Sequence, residues 1–335
     1  MTDDAYGRSG VDLAAAAHAV SLIRELAEGA ARPEVLEGVG GFAGLFRLDD
    51  GRLLAAAADG VGTKVEIARR AGRLDTVGID TVAMCVNDVI TTGAEPLFFL
   101  DTVVVERLVP EEVARIVAGV AEGCRRGGCA LLGGETAEHP GHLVEGGFDL
   151  SGFCVGVVEE DRLLGPARVR PDDVLVGLRS SGLHANGFSL VRRAVDGLDL
   201  FEVPEGLDRP LVDELLEPTL IYAPPVVEAV RAGLLHATAH ITGGGLPENV
   251  ARALPEGLGA SIDRSTWRPH EAFGFVGRRA DVSQVDLFGT FNMGLGMVLV
   301  TAPATADEVV ALMARHGFEA AAVGRVTDEA GIQLR

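Results

Sequence analysis

The sequence predicts a mixed α/β protein of two domains, and three observations carry that reading. A chain of 335 residues with 47% hydrophobic content is too long for one small core and long enough for two ordinary ones. Strand-like apolar runs alternate with helix-like amphipathic stretches along its whole length. Near the midpoint the segment "LLGPARVRPDD" (163–173), rich in Pro, Gly and Arg, interrupts the alternation. It divides the chain into residues 1–168 and 169–335.

In chain order, a helical pattern covers about 13 to 28, and "GVGGFAGLF" (38–46) is a glycine-rich turn entering an apolar stretch. "RLLAAAADG" (52–60) reads as a buried strand ending at Asp59. "TVGIDTVAMCVNDVITTGA" (76–94) reads as a helix stopped by Gly93, with Asp80, Met84 and Asp88 on one face. Asp80 and Asp88 are then roughly 12 Å apart along the axis, too far to hold one ion together. "PLFFLDTVVV" (96–105) is a strand. "PEEVARIVAGVAEGCRRGG" (110–128) carries complete helix punctuation: Pro110 at the start, Glu111 and Glu112 in the first turn, arginines and glycines at the end. A strand that runs into a polar loop follows at 129–141, and another strand at 148–160. The second half opens with strand 174–180, then loop 181–187 and a helix to about 195. Another helix follows Pro224 and Pro225. The run 236–254 is strand, glycine loop, helix. Residues 288–301 are loop and strand, and a helix at 305–316 and closing strands end the chain.

Composition excludes several classes. The formal net charge of −20 repels nucleic-acid phosphate and anionic membrane. No apolar stretch of about 18 residues is present to span a bilayer. The start, "MTDDAYGRSG", lacks the basic and apolar regions of a signal peptide. Cys85, Cys124, Cys129 and Cys154 have no CxxC spacing and read as small core residues, which suits a reducing cytoplasm.

The 29 basic residues comprise 28 arginines and one lysine, Lys64. It ends "DGVGTK" (59–64). In that loop Asp59 can ligate a hard cation through oxygen, and Gly60 and Gly62 let backbone N–H groups approach a phosphate. Thr63 belongs to the same loop, and Lys64 adds a compact charge that arginine does not replace. The Walker pattern is absent, so a nucleotide site here is not a P-loop. Asn87 and Asp88 interrupt an apolar helix; metal ligation with Asp59 as partner is the sharper reading, a core-satisfied polar pair the plainer one. "GGETAEHPG" (133–141) supplies Glu135 and Glu138, as a third carboxylate or as an ordinary polar loop. "SSGLHANG" (180–187) sets His184 and Asn186 in a glycine-flanked loop, where a histidine can move a proton near neutral pH. "HITGGGLPEN" (240–249) places three glycines at a helix start, a phosphate-binding arrangement. "FNMG" (291–294) is a similar loop.

Taken in register, these motifs, with "GIDTVAMCVNDVITTGAEPLFFLD" and "GFCVGVVE", resemble the phosphoribosylformylglycinamidine cyclo-ligase family over roughly residues 6 to 330. The resemblance implies ATP-dependent closure of the imidazole ring of formylglycinamidine ribonucleotide, giving aminoimidazole ribonucleotide, ADP and phosphate. It implies an α+β N-terminal domain whose strands form a barrel shared in a homodimer, followed by an α/β C-terminal domain. It places Asp59 and Asp88, with Glu135, on Mg²⁺, and Lys64 on ATP phosphates. Gly40, Gly41, Gly44 and Asn87 are expected near the nucleotide. His184 and Asn186 fall on the substrate side, and Thr242, Gly243, Gly244 and Gly245 on the ribose phosphate. Ala185 stands where the family typically has serine, and arginine rather than lysine precedes Ser9. Relatives of the same architecture fit less well: the first cysteine is Cys85, not the N-terminal one selenophosphate synthetase needs, and the chain ends "GIQLR" without the cysteine of the hydrogenase-maturation protein. Thiamine-monophosphate kinase and a silent nucleotide-binding subunit are separated from the cyclo-ligase by turnover.

Overall fold

The computed structural model describes residues 13–48 and 50–335. The expectations for Tyr6, Arg8 and Ser9 lie outside the described residues. The N-terminal half contains α1 (Leu13–Glu28), β1 (Val35–Glu37), β2 (Gly44–Arg47), β3 (Arg52–Gly60), α2 (Lys64–Ala71), α3 (Val77–Thr91), β4 (Glu95–Val105), α4 (Pro110–Gly127), β5 (Ala130–Glu138) and β6 (Phe148–Glu159). The sheet runs β1-β2-β3-β6-β4-β5, antiparallel except where β4 meets β5.

Alternation along the strands decides which sheet face is covered. Leu53, Ala55 and Ala57 of β3 and Phe99, Asp101, Val103 and Val105 of β4 are buried. Helices α3 and α4 pack there against each other. Their crossing is close because it is lined by glycine: a Cβ on Gly78 would lie 2.3 Å from the Val120 nitrogen, and one on Gly119 2.3 Å from the Asp75 carbonyl. The opposite face is open, with Leu97, Leu132 and Phe153 exposed. Helix α4 begins and ends as its sequence dictates, with Pro110 in the first turn and Gly128 as a left-handed cap. All four cysteines are free; Cys85, Cys124 and Cys154 are buried and Cys129 partly so.

The C-terminal half contains β7 (Val174–Arg179), α5 (Phe188–Ala194), α6 (Leu211–Leu215), α7 (Ala223–Arg231), β8 (Ala237–His240), α8 (Gly245–Arg252), β9 (Gly259–Ile262), α9 (Glu271–Ala280), α10 (Gln284–Thr290), β10 (Leu295–Thr301), α11 (Ala306–Arg315), β11 (Ala320–Thr327) and β12 (Gly331–Leu334). Its sheet runs β12-β9-β11-β7-β10-β8, and every residue of β10 is buried. Helix α10 occupies the start of the segment read from sequence as loop and strand.

The two halves share one continuous core. Helix α3 explains why. All its residues but Asp88 are buried. One side meets β3 and β6, and the other meets α7 and β8. Its polar residues therefore end up on the seam between the halves. No helix among the described residues is long and apolar enough to cross a membrane.

Candidate functional site

Three seam residues form the centre of the site. Asp59 is the next-to-last residue of β3, and Gly60 donates its N–H to Asp59 Oδ1 at 2.7 Å. Asp88 comes from the last turns of α3, with its side chain 18% exposed. His240, the last residue of β8, is wholly buried, and its Nδ1 lies 2.8 Å from Asp88 Oδ1. Burial pushes the Asp59 carboxyl up to about 6; the Asp88 charge adds to the rise, while the Gly60 N–H and His240 oppose it. Two carboxylates that repel each other in a partly desolvated cleft suit a divalent cation. Mg²⁺ commonly takes one or two protein carboxylates and completes its shell with water and phosphate oxygen. Asp59 and Asp88 fit that role as a pair. No group of three ligating side chains is assembled among the described residues.

Two glycine loops flank the carboxylates. On the C-terminal side, Asn249 Nδ2 points at the carbonyls of Thr242, Gly243 and Gly245, at 3.5, 3.1 and 2.8 Å, tying down the loop that starts α8. Gly244 and Gly245 are left-handed, with φ of +86° and +60°. Gly243 is exposed and borders open space. On the N-terminal side, the loop of Gly40 and Gly41, which enters β2 at Gly44, reaches across to α8. The Arg252 guanidinium stacks 3.8 Å from the centre of the Phe42 ring, with Nη2 3.5 Å from the Gly40 carbonyl. Gly62 and Thr63 lie on the loop between β3 and α2, Gly62 exposed and left-handed.

Four of the expected site residues face other partners or lie apart from Asp59 and Asp88 in this structure. Lys64 does not face the cleft. It is wholly buried, and its three N–H donors end on Asp80 and on the carbonyls of His184 and Glu217. Asn87 does not face a nucleotide either. Its Nδ2 donates to the Leu220 carbonyl at 2.8 Å and its Oδ1 accepts the Tyr222 N–H at 3.0 Å, so it is the core-satisfied member of its pair. The His184 imidazole is turned inward, with Nε2 accepting the Ser181 N–H at 3.3 Å and Nδ1 unpartnered. Burial first, then nearby His240, Lys64 and His270, hold it well below the usual histidine range. Glu135 is aligned with Thr102, which is two strands from Gly60 across β6. That places it about 14 Å from Gly60 at ordinary strand spacing, on the open face, whereas Asp59 is in register with Asp101 on the covered face. It does not join Asp59 and Asp88 within this chain. Asn186 is half-buried and makes no side-chain hydrogen bond to the described residues. His240 and Arg252 are the cleft residues that sequence reasoning missed.

Comparison with known proteins agrees with this architecture. Residues 40–158 match the AIR synthase related protein N-terminal domain, and residues 170–335 match its C-terminal domain. A phosphoribosylformylglycinamidine cyclo-ligase from Myxococcus xanthus is 49% identical over 333 residues, covering 97% of this chain and 96% of the relative. Among solved structures, tt0281 from Thermus thermophilus superposes with a TM-score of 0.67 at 24% identity, covering 94% of this chain and 95% of that one. T. maritima PurL complexed with ATP superposes with a TM-score of 0.57 at 19% identity, covering 90% of this chain and 45% of that one. With both domains matched in order and near-full-length identity close to one half, the chain belongs to the phosphoribosylformylglycinamidine cyclo-ligase family.

Proposed function

We propose that the chain closes the imidazole ring of formylglycinamidine ribonucleotide at the expense of ATP, producing aminoimidazole ribonucleotide, ADP and phosphate in purine biosynthesis. The observation that carries this reading is the pair Asp59 and Asp88 on the seam, flanked by glycine loops from both halves in which Gly62 and Gly243 border open space. The chain is acidic overall, so phosphate must be met locally. Asp59 and Asp88 would hold Mg²⁺ against the ATP phosphates, and the bound cation would neutralise charge on the transferring group. Gly40, Gly41 and Phe42, braced by Arg252, border the nucleotide. The loop Thr242–Gly245 offers backbone N–H groups to the ribose phosphate. His240 orients Asp88 by donating to its carboxylate. Asn186, whose amide is uncommitted, remains on the substrate side.

The acceptor of ATP's phosphoryl group is the formyl amide oxygen, which becomes a leaving group when the ring nitrogen attacks. Holding both reactants across one seam converts this into an intramolecular alignment problem. The reaction is assigned to a homodimer in the cytoplasm. Leu97, Leu132 and Phe153 leave an apolar face on the N-terminal sheet that a second copy would cover. Four free cysteines suit a reducing compartment.

ADP release from purified protein with Mg²⁺ and ATP, with and without formylglycinamidine ribonucleotide, tests the reading. ADP formed only with that compound, together with aminoimidazole product, supports it. ADP release that the compound does not stimulate removes it.

A further inference from the structure

The only lysine of the chain sits at a junction. Lys64 is the first residue of α2 and directly follows the loop Asp59–Thr63. Its Nζ lies 3.0 and 2.9 Å from the two Asp80 oxygens, 2.9 Å from the His184 carbonyl and 2.9 Å from the Glu217 carbonyl. Asp80 also accepts the N–H of Thr219 at 2.8 Å and its hydroxyl at 2.6 Å. Lys64 and Asp80 belong to the N-terminal half; His184, Glu217 and Thr219 belong to the C-terminal half. Both charged side chains are wholly buried. Three acceptor groups, one carboxylate and two carbonyls, around one small cation suit the tetrahedral ammonium and not a planar guanidinium.

A buried ion pair is a poor way to gain stability, because desolvation offsets much of the attraction. Its value lies in geometry. The Lys64 side chain ends on the middle of the loop "SSGLHANG", at a residue whose φ is +61°. A non-glycine residue stays in that left-handed conformation when its surroundings hold it there.

We propose that Lys64 and Asp80 are a positioning pair that sets the register between the Asp59–Thr63 loop and the 181–187 loop, so that nucleotide and second substrate meet in reacting alignment, and that Lys64 itself touches neither. This rests on the functional reading above. It replaces the phosphate contact expected of Lys64 with an indirect one.

The test is the double variant Lys64→Met/Asp80→Asn. Removing the lysine alone would strand a buried carboxylate and unfold the seam. The double variant removes both charges, fills the lysine stem with methionine, and keeps an Asn oxygen for Thr219. It is expected to unfold within a few degrees of wild type and to keep its KM for Mg²⁺–ATP within about twofold. Its kcat is expected to fall about tenfold or more, as small misalignments do. Amide exchange in 181–187 should quicken about tenfold while β3 and β6 exchange as before. Unchanged kcat with unchanged exchange overturns the proposal, and so does a raised KM for Mg²⁺–ATP with an undisturbed loop. If the double variant folds poorly, Thr219→Val removes one hydroxyl bond to Asp80 with the charges still paired. The same signature in smaller measure is expected, and its absence overturns the proposal. The exchange measurement needs no turnover. A wild-type protein inactive on formylglycinamidine ribonucleotide would therefore remove the functional reading while leaving the loop coupling open to measurement.

Discussion

His240 Nδ1 lies 2.8 Å from Asp88 Oδ1, joining the C-terminal sheet to the last turns of α3. Asn87 Nδ2, 3.5 Å from His240 Nε2, faces the other ring nitrogen as a donor, which leaves the proton on Nδ1 and aims it at the carboxylate. An oriented carboxylate is a better cation ligand than a free one, and loss of such a partner commonly costs about 10–100-fold in metal affinity. His240→Ala should raise the Mg²⁺ concentration for half-maximal turnover by about tenfold or more. His240→Asn, which keeps a donor near Nδ1, should recover part of the loss. A magnesium titration at saturating substrates checks both. Equal requirements in all three proteins would show that Asp88 needs no orienting partner.

Asp59 carries a pH dependence of definite sign. Its folded value of about 6 lies above the ordinary 3.8, chiefly because burial disfavours the charged form. The folded protein therefore binds this proton more tightly than the unfolded chain does. The stability it contributes is full below about pH 4 and is lost as pH rises through 6. Asp59→Asn should raise the melting temperature of the metal-free protein at pH 8, by an amount corresponding to at most about 3 kcal/mol, and change it little near pH 4. The same variant should lose Mg²⁺–ATP turnover. In the wild type, apparent Mg²⁺ affinity should fall below pH 6 as the proton competes. A melting temperature at pH 8 no higher in the variant than in wild type would contradict the burial argument.

The glycines of "HITGGGLPEN" are not equivalent. A Cβ on Gly245 would lie 1.8 Å from the Phe288 carbonyl, at a residue that is also left-handed. Gly245→Ala should lower the melting temperature markedly or prevent folding. Gly243 has open space where its Cβ would go. Gly243→Ala should fold like wild type but raise the KM for the phosphate-bearing substrate, because a methyl group then stands where backbone must approach phosphate. Melting curves paired with substrate titrations separate the two. A Gly243→Ala protein with unchanged KM would move the phosphate elsewhere.

What the sequence revealed follows how local the cause was. Helix α4 was legible because its proline, acidic first turn, basic last turn and glycine cap are all within the segment. Asp59 and Asp88 were legible as candidates because a carboxylate before a glycine loop, and another in an apolar helix, each break a local pattern. Lys64 stood out by its rarity, and the structure places its ammonium on Asp80 and two carbonyls. Its rarity argues for an irreplaceable ammonium in either role, and its acceptors lie 16, 120 and 153 positions away. The partner of Asp88 lies 152 positions away in a four-residue strand, so no spacing could announce His240. Arg252 was one of 28 arginines until Phe42 was placed beneath it.

The open face of the N-terminal sheet yields the last prediction. Leu132 is 65% exposed on β5, Leu97 42% on β4 and Phe153 39% on β6. Phe153 stands in register with Ala58 and Leu100 on this face, while Leu97 and Leu132 sit at the register shifts of β4 and β5. A hollow of about 500 Å³ on this face is lined by Ala58, Leu100, Thr102, Ser151 and Phe153, with Asp59 at its edge. A second copy seated here would cover the hollow beside Asp59, so on the proposed reading assembly and catalysis should fail together. Leu132→Glu/Phe153→Glu changes only exposed positions, so the chain should still fold. Light scattering should find wild type at twice the chain mass and the variant at one. Turnover of the variant should fall with the dimer fraction and recover as protein concentration rises. A fully active monomer would separate the open face from the site.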